Sequence, residues 1–270
     1  MRRISSLLVL VFLAVGLFGQ SPESRPKFDA FEVATIKPTA PNWLGGRFIR
    51  MQSADRFVAR NHSLKTLLAA AYDLHPQAIA GGPVWLESDR YDILAKTPGA
   101  IRPNLNEQMA MLRKLLADRF KLAFHRESKE LPIYALTVAR TGTKLNESTA
   151  SPDTSPEGPP PLVFVISPQL VRLPGRSANM AEFASVMQRA ALDRPVVDKT
   201  GISGRYDFDL EWTPDESQFG GILGKPASTN DSGKPGLFAA IQKQLGLRLE
   251  ATRGMVSLLV IDHVEHPSEN

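Results

Sequence analysis

Apolar residues recur along this chain at two periods, and the switches between them outline its elements. In "HSLKTLLAAAYDL", Leu64, Leu67, Leu68 and Ala71 fall at i, i+3, i+4 and i+7, the stripe of an amphipathic helix. "NEQMAMLRKLLADRF" repeats that spacing with Met109, Leu112, Leu116 and Phe120 on one face, and Asn106 is its expected N-cap. Around these helices the period drops to two. "GGRFIRMQSADRFVARN" alternates about a Ser-Ala-Asp turn and reads as a hairpin. "SDRYDILAKT" reads as a single strand, and "KLAFHRESKELPIYALTVAR" as a closing hairpin in which Leu122 and Phe124 alternate before the turn.

The same order then returns. "LVFVISPQLVRL" predicts an apolar hairpin, and "NMAEFASVMQRA" a helix capped by Asn179, with Glu182 three residues on and Met180, Phe183, Ala184 and Met187 inward. "SGRYDFDLEWT" gives a strand. "LFAAIQKQLG" gives a helix with Phe238, Ile241 and Leu245 inward and Gly246 as its stop. "LRLEATRGMVSLLVIDHV" predicts a closing hairpin turning at Thr252-Arg253-Gly254. Setting Phe120 on Leu245 places Leu122 on Leu247, Phe124 on Leu249 and Ile133 on Leu258 without a gap. These matches predict an internally duplicated α+β protein. Its two similar lobes each read β-β-α-β-α-β-β, with two helices on one sheet face.

Composition sets the boundaries. Two stretches rich in Ser, Thr, Pro and Gly lack any apolar period, and such composition does not bury enough surface to order itself. The first lobe is therefore expected over 28–141, a linker over 142–161, and the second lobe over 162–270 with a mobile loop at 213–236.

Ser-x-Arg-Tyr-Asp occurs twice, at Ser88–Asp92 and Ser203–Asp207, each time opening a strand. Strand alternation puts Arg90 and Asp92 on one face and Tyr91 on the other, and likewise Arg205 and Asp207 against Tyr206. Two readings follow: a structural one, with the Tyr ring buried and the Arg/Asp pair bracing the sheet, and a ligand site in each lobe.

The N-terminus carries an address. Arg2 and Arg3 precede the apolar run Ile4–Phe18, which is followed by small and polar residues, the parts of a signal peptide over 1–20 cleaved near Gly19 or Gln20. That run is shorter than the ~20 residues of a membrane-spanning helix, so no span is expected after cleavage. The expected location is periplasmic or extracellular. The chain has no Cys, which excludes disulfides, thiolate metal sites and thiol nucleophiles. The formal charge of +4 falls to +2 without Arg2 and Arg3, too mild for a nucleic-acid partner.

Chemistry is sparse. His263 and His266 flank Glu265 in "HVEH", but in an extended chain residues three apart face opposite sides, so no metal site is expected. His125, in "FHRES", is either a surface residue of a charged strand or a general base. No nucleophile elbow, zinc-protease helix or phosphate loop is present, and no cofactor is expected. Arg113, Lys114, Arg119, Lys121, Arg126 and Lys129 form a basic cluster, read either as an anion-binding patch or as a solvated face balanced by Asp118, Glu127 and Glu130. Trp43, Trp85 and Trp212 are candidates for stacking on sugars or for lids over the core.

Strings such as "RNHSLKTLLAAAYDL", "GGPVWLESDRYDILAK", "MLRKLLADRFKLAFHRESKELPIYAL" and "RPVVDKTGISGRYDFDLEWTPD" resemble a family of secreted proteins of unknown function, duplicated many times in soil acidobacterial genomes. The resemblance covers Phe31 to Asn270. It implies a bacterial envelope protein, and a sensing or interaction role, since in that family the domain also occurs joined to membrane zinc peptidases of the antibiotic-sensor type. A weaker similarity, in order of elements, is to the short N-terminal domain of secretins and TonB-dependent receptors. The combined expectation is a non-catalytic binding module for a peptide, a glycan or a partner protein. Its rival is an envelope hydrolase using dispersed carboxylates or His125.

Overall fold

The computed structural model describes residues 25–150, 160–167, 169–221 and 233–268. The expected signal peptide at 1–20 lies outside the described residues, as do 151–159 of the expected linker and 222–232 of the expected loop.

The first half runs β1 (Val33–Pro38), β2 (Phe48–Met51), β3 (Arg56–His62), α1 (Leu64–Ala71), β4 (Ile79–Gly81), the single turn α2 (Trp85–Ser88), β5 (Tyr91–Lys96) and α3 (Leu105–Arg119). An antiparallel sheet forms in the order β1-β5-β3-β2. Its inward residues Phe57, Ala59, Tyr91, Ile93 and Ala95 share one core with Leu64, Leu67 and Leu68 of α1 and with Leu112 and Leu116 of α3. Ser63 caps α1 by accepting from the Thr66 N–H at 3.3 Å. The cap of α3 is Asn104 rather than the expected Asn106, because Glu107 stands three residues after Asn104 and closes a reciprocal capping box with it.

β6 (Ala123–Val138) leads out of the first half, and the second runs β7 (Asn146–Glu147), β8 (Val165–Ile166), β9 (Val171–Ala178), α4 (Met180–Val186), β10 (Val196–Asp198), β11 (Tyr206–Trp212), α5 (Leu237–Ala240) and β12 (Leu247–His263). A second sheet, β7-β11-β9-β8, matches the first strand for strand in its order. The Asn179–Glu182 capping box forms, and Met180, Phe183, Ala184 and Met187 are buried. Both helices of this half run on into π-helical turns, Met187–Ala191 and Ile241–Leu245. The wider turn shifts the buried stripe, so Phe238, expected inward, is 42% exposed and Leu237 is buried instead. Part of the expected linker is strand β7, paired with β11, and the expected loop closes on itself through a Thr213–Gly236 bridge.

Neither closing hairpin exists. β6 and β12 are single long strands paired antiparallel with each other, from Leu247 opposite Val138 to His263 opposite Ala123. Thr252, Arg253 and Gly254 lie in mid-strand, opposite Ile133, Pro132 and Leu131. A hairpin and a straight strand share period two, so alternation does not separate them. The polar residues that read as turns, Glu127 to Glu130, are instead exposed in a solvated two-stranded ribbon between the lobes. Each long strand begins in one lobe and ends in the other. There β4 adds in parallel to the end of β12, and β10 to the end of β6. Leu259 and Ile261 complete the first core and Leu136 enters the second, so the lobes are not consecutive blocks of sequence.

This exchange predicts fragment complementation. Fragments 21–150 and 160–270, produced together, are expected to co-elute as one folded species on size exclusion. Either fragment alone should lack a cooperative unfolding transition, and cooperative unfolding of one alone would refute the exchange as a folding constraint.

Candidate functional site

The repeated pentapeptide holds a bulge. β3 and β5 pair regularly up to Ala59 opposite Ile93, then slip so that His62 faces Tyr91, leaving Arg60 and Asn61 opposite the single residue Asp92. In the second sheet Gly175 faces Phe208 and Ala178 faces Tyr206, leaving Arg176 and Ser177 opposite Asp207. Asn61 (φ 56°) and Ser177 (φ 50°) occupy the left-handed region, and each stands two residues before a helix cap, Ser63 or Asn179. The Asp carboxylate accepts that residue's N–H, at 2.9 Å in the first half and 2.7 Å in the second. Asp92 also accepts from Thr39 Oγ1 at 2.8 Å and Arg60 Nη1 at 2.7 Å. Desolvation pushes Asp92 up, but the Asn61 N–H, Arg60 and Thr39 outweigh it and hold the carboxyl below its ordinary range. The Ser177 N–H does the same for Asp207. The anticipated Arg/Asp pairs within each pentapeptide do not form, because the bulge brings Arg60 to Asp92 and gives Asp207 the Ser177 N–H.

The two arginines then part company. Arg205 donates to Ser177 O at 2.6 Å and to both oxygens of Glu182, at 3.2 and 3.3 Å. Arg90 is exposed, and its side chain has no hydrogen-bonded or ionic partner among the described residues. The tyrosines differ too. Tyr91 is buried edge-on against Phe120 and meets His266 Nδ1 through its hydroxyl at 3.3 Å, whereas the half-buried Tyr206 donates to Ser203 O at 2.9 Å.

Around Arg90 opens a cleft of about 620 Å³, lined by the end of β1 (Ile36 to Thr39), Asp89, Arg90, Tyr91 and the C-terminal segment His266 to Ser268. That segment is pinned: Glu265 N–H donates to Phe120 O, Ser268 N–H to Arg119 O, and Arg119 Nη2 to Ser268 O at 2.6 Å. His266 stacks on Trp85 at 4.1 Å. His62, opposite the cleft residue Tyr91 in the ladder, is only 7% exposed. Its Nδ1 is 3.2 Å from Thr66 Oγ1, which donates to Ser63 O, so the network assigns the proton to Nδ1 and leaves Nε2 without a hydrogen bond. Burial first, then the charges of Arg47 and Arg90, push the His62 pKa down to about 3.

The other sequence candidates scatter. His263 Nε2 pairs with Glu265 at 3.0 Å while its neighbour in the motif stacks on Trp85, so the two imidazoles do not converge. His125 Nδ1 meets Asp262 at 2.7 Å on the exposed ribbon. Among the described residues no group of three metal-ligating side chains occurs, and no helix is long and apolar enough to cross a membrane. The basic cluster is partly internal bracing: Arg113 donates to Ala71 O at the end of α1, Lys114 pairs with Asp118, and Arg126 lies over Tyr72. Trp212 is fully buried, with its Nε1 donating to Gln218, whereas Trp43 is exposed above Arg60. Sequence reasoning missed Lys37, Arg47 and His62. Nothing in their local strings sets them apart, and only the fold gathers them.

Two outcomes follow. Asp92→Ala strands the Asn61 N–H and the Arg60 charge, and should cost about 2–3 kcal/mol by urea denaturation, with a smaller loss for Asp207→Ala. A shift of the midpoint no larger than that of a surface control would refute the bulge's dependence on Asp92. Acid should destabilise the protein. Between pH 6.5 and about 3 the unfolded chain protonates at His62 while the folded one does not, so stability is whole above 6.5 and falls by on the order of 1.4 kcal/mol per pH unit below it. His75, also lowered by burial, adds to that slope. His62→Gln should flatten the dependence measured from pH 7 to 4, and an unchanged slope would show that His62 titrates normally.

No curated protein and no solved structure matches the chain. A family model does match, over residues 65–264, and its members are described as proteins of unknown function. With most of its length inside that model, the chain belongs to the DUF3738 family.

Proposed function

We propose that this chain is a secreted bacterial envelope protein that acts as a non-catalytic binding module, taking a peptide or glycan in the cleft beside Tyr91. The observation that carries the reading is the cleft itself. Its volume of about 620 Å³ lies within the usual range for small-ligand sites, and it combines apolar walls (Ile36, Pro38, Tyr91, Pro267) with a few polar groups, Lys37, Arg90 and His266. Export rests on the composition of residues 1–20, and a sensing role on the resemblance to domains joined to membrane zinc peptidases. The matching order of strands and helices supports reading the two halves as one duplicated design. The rival hydrolase reading has one observation in its favour, the Asp262 carboxylate that orients His125. Among the described residues the hydrogen bonding of that ring ends at Asp262, and no hydroxyl is hydrogen-bonded to it.

The test is a thermal shift of residues 21–270 against soluble peptidoglycan fragments and envelope polysaccharide fragments. A ligand at a hundredfold excess over its Kd stabilises the native state by about 2.7 kcal/mol, which a melting curve resolves. Stabilisation by one of these probes, diminished in Lys37→Ala and His266→Ala, is the expected result. A flat response across both sets would overturn the reading.

A further inference from the structure

The two halves place the same side chains differently at one point. In the second half Arg205, from the pentapeptide, reaches across to the bulge carbonyl of Ser177 and grips the carboxylate of Glu182, three residues after the Asn179 cap. The corresponding position in the first half, three residues after the Ser63 cap, is Thr66. Its hydroxyl is occupied with Ser63 O and His62 Nδ1, and it carries no charge. Arg90, the counterpart of Arg205, thus lacks the carboxylate that its partner half provides. The register brings a second cation to the same bulge: β2 sets Phe48 opposite Arg60, so Arg47, one residue earlier, lies beside the slip in β3 that faces Asp92. Arg47, just ahead of β2, has no side-chain hydrogen bond or ion pair among the described residues. Desolvation, and then the positive charge of Arg90, hold Arg47 below the usual arginine range. Two guanidiniums that repel each other, neither of them hydrogen-bonded or ion-paired to a carboxylate of the described residues, are complementary to an external anion. Of the two carboxylates beside Arg90 in the chain, Asp92 is committed to Asn61, Arg60 and Thr39, and Asp89 lies on the cleft wall 3.9 Å from His266 Nδ1. His62 stays neutral and so does not compete for an anion.

Building on the binding-module reading, we propose that Arg90 and Arg47 together bind a carboxylate of the ligand, in the role that Glu182 plays toward Arg205. Of the peptides and glycans that the cleft admits, the site selects those with a free carboxylate, such as a peptide C-terminus, while the apolar walls of the cleft take the adjoining group. A planar guanidinium receives a carboxylate through two parallel hydrogen bonds, so Lys does not replace Arg90.

The experiment is calorimetric titration of residues 21–270 with an N-acetylated alanyl-alanine peptide, whose single carboxylate is the C-terminal one, and with the same peptide as its C-terminal amide. The acid is expected to bind at least about tenfold more tightly, with that advantage lost in Arg90→Ala, Arg90→Lys and Arg47→Ala. Equal binding of acid and amide overturns this inference while leaving the module reading intact. Binding of neither peptide to folded protein overturns this inference, and a flat thermal-shift response to both fragment sets as well sinks the module reading. A ligand-free arm tests the position itself. Thr66→Glu should raise Tm in the wild-type background by more than in the Arg90→Ala background, and should weaken binding of the acid. Equal Tm changes in the two backgrounds would show that a carboxylate at this position does not meet Arg90, which overturns the inference. Arg90→Ala without ligand should leave Tm unchanged or higher, since it relieves repulsion from Arg47. A Tm loss of the size seen for Arg205→Ala would instead make Arg90 a structural residue.

Discussion

The antiparallel ladder between β6 and β12 is the constraint on which the rest of the molecule depends. It is the longest strand pairing between the two halves among the described residues, and each strand ends as the middle of a three-stranded patch in the lobe where it did not begin. Backbone groups along both strands are satisfied by one another, so the third sheet, β10-β6-β12-β4, is built from both halves. Between the lobes the ribbon is open to water, and its outer edge carries Arg126, Glu127, Lys129 and Glu130 before Pro132. Charges and proline on an open edge discourage pairing with a foreign strand. The same residues that keep the ribbon soluble are therefore those that protect it from aggregation.

On this frame the halves are alike where they build and unlike where they meet solvent. In both, an Asp on the central strand ties down a left-handed residue so that the preceding strand bends into a helix cap. That device needs only the carboxylate and the left-handed N–H, and both halves have them. The neighbouring Arg is different. In one half it is absorbed into a capping box through Glu182, and in the other it is left at the mouth of a cleft. A single position in the first turn of a helix, Glu182 against Thr66, decides between bracing and availability.

Much of this architecture was legible from the chain. The helices were, because Leu64, Leu67, Leu68 and Ala71, like Met109, Leu112 and Leu116, have a period that no strand shares. Caps were less so: Asn104 and Asn106 are both good caps, and the choice turned on which of them has Glu107 three residues on. The closing strands were misread because period two says which residues face inward but not whether the chain turns. The ungapped match of Phe120 with Leu245 through Ile133 with Leu258 was a property of two long strands, and it fitted two hairpins equally well. The candidate site was half visible. The repeated Arg-Tyr-Asp marked the right strands, yet the groups that distinguish Arg90 from Arg205 come from Arg47, His62 and Thr66, far away or unremarkable in sequence.

The exchange of long strands also dictates when the protein is able to fold. Ala123 waits for His263, and the first core waits for Leu259 and Ile261, contacts that span more than half of the chain. Topologies dominated by such distant pairings fold slowly, because chain entropy must be lost before the contacts that repay it are made. A nascent chain has no finished lobe to protect until its last strand has emerged. The first core therefore stays open until β12 has emerged, however early its helices form.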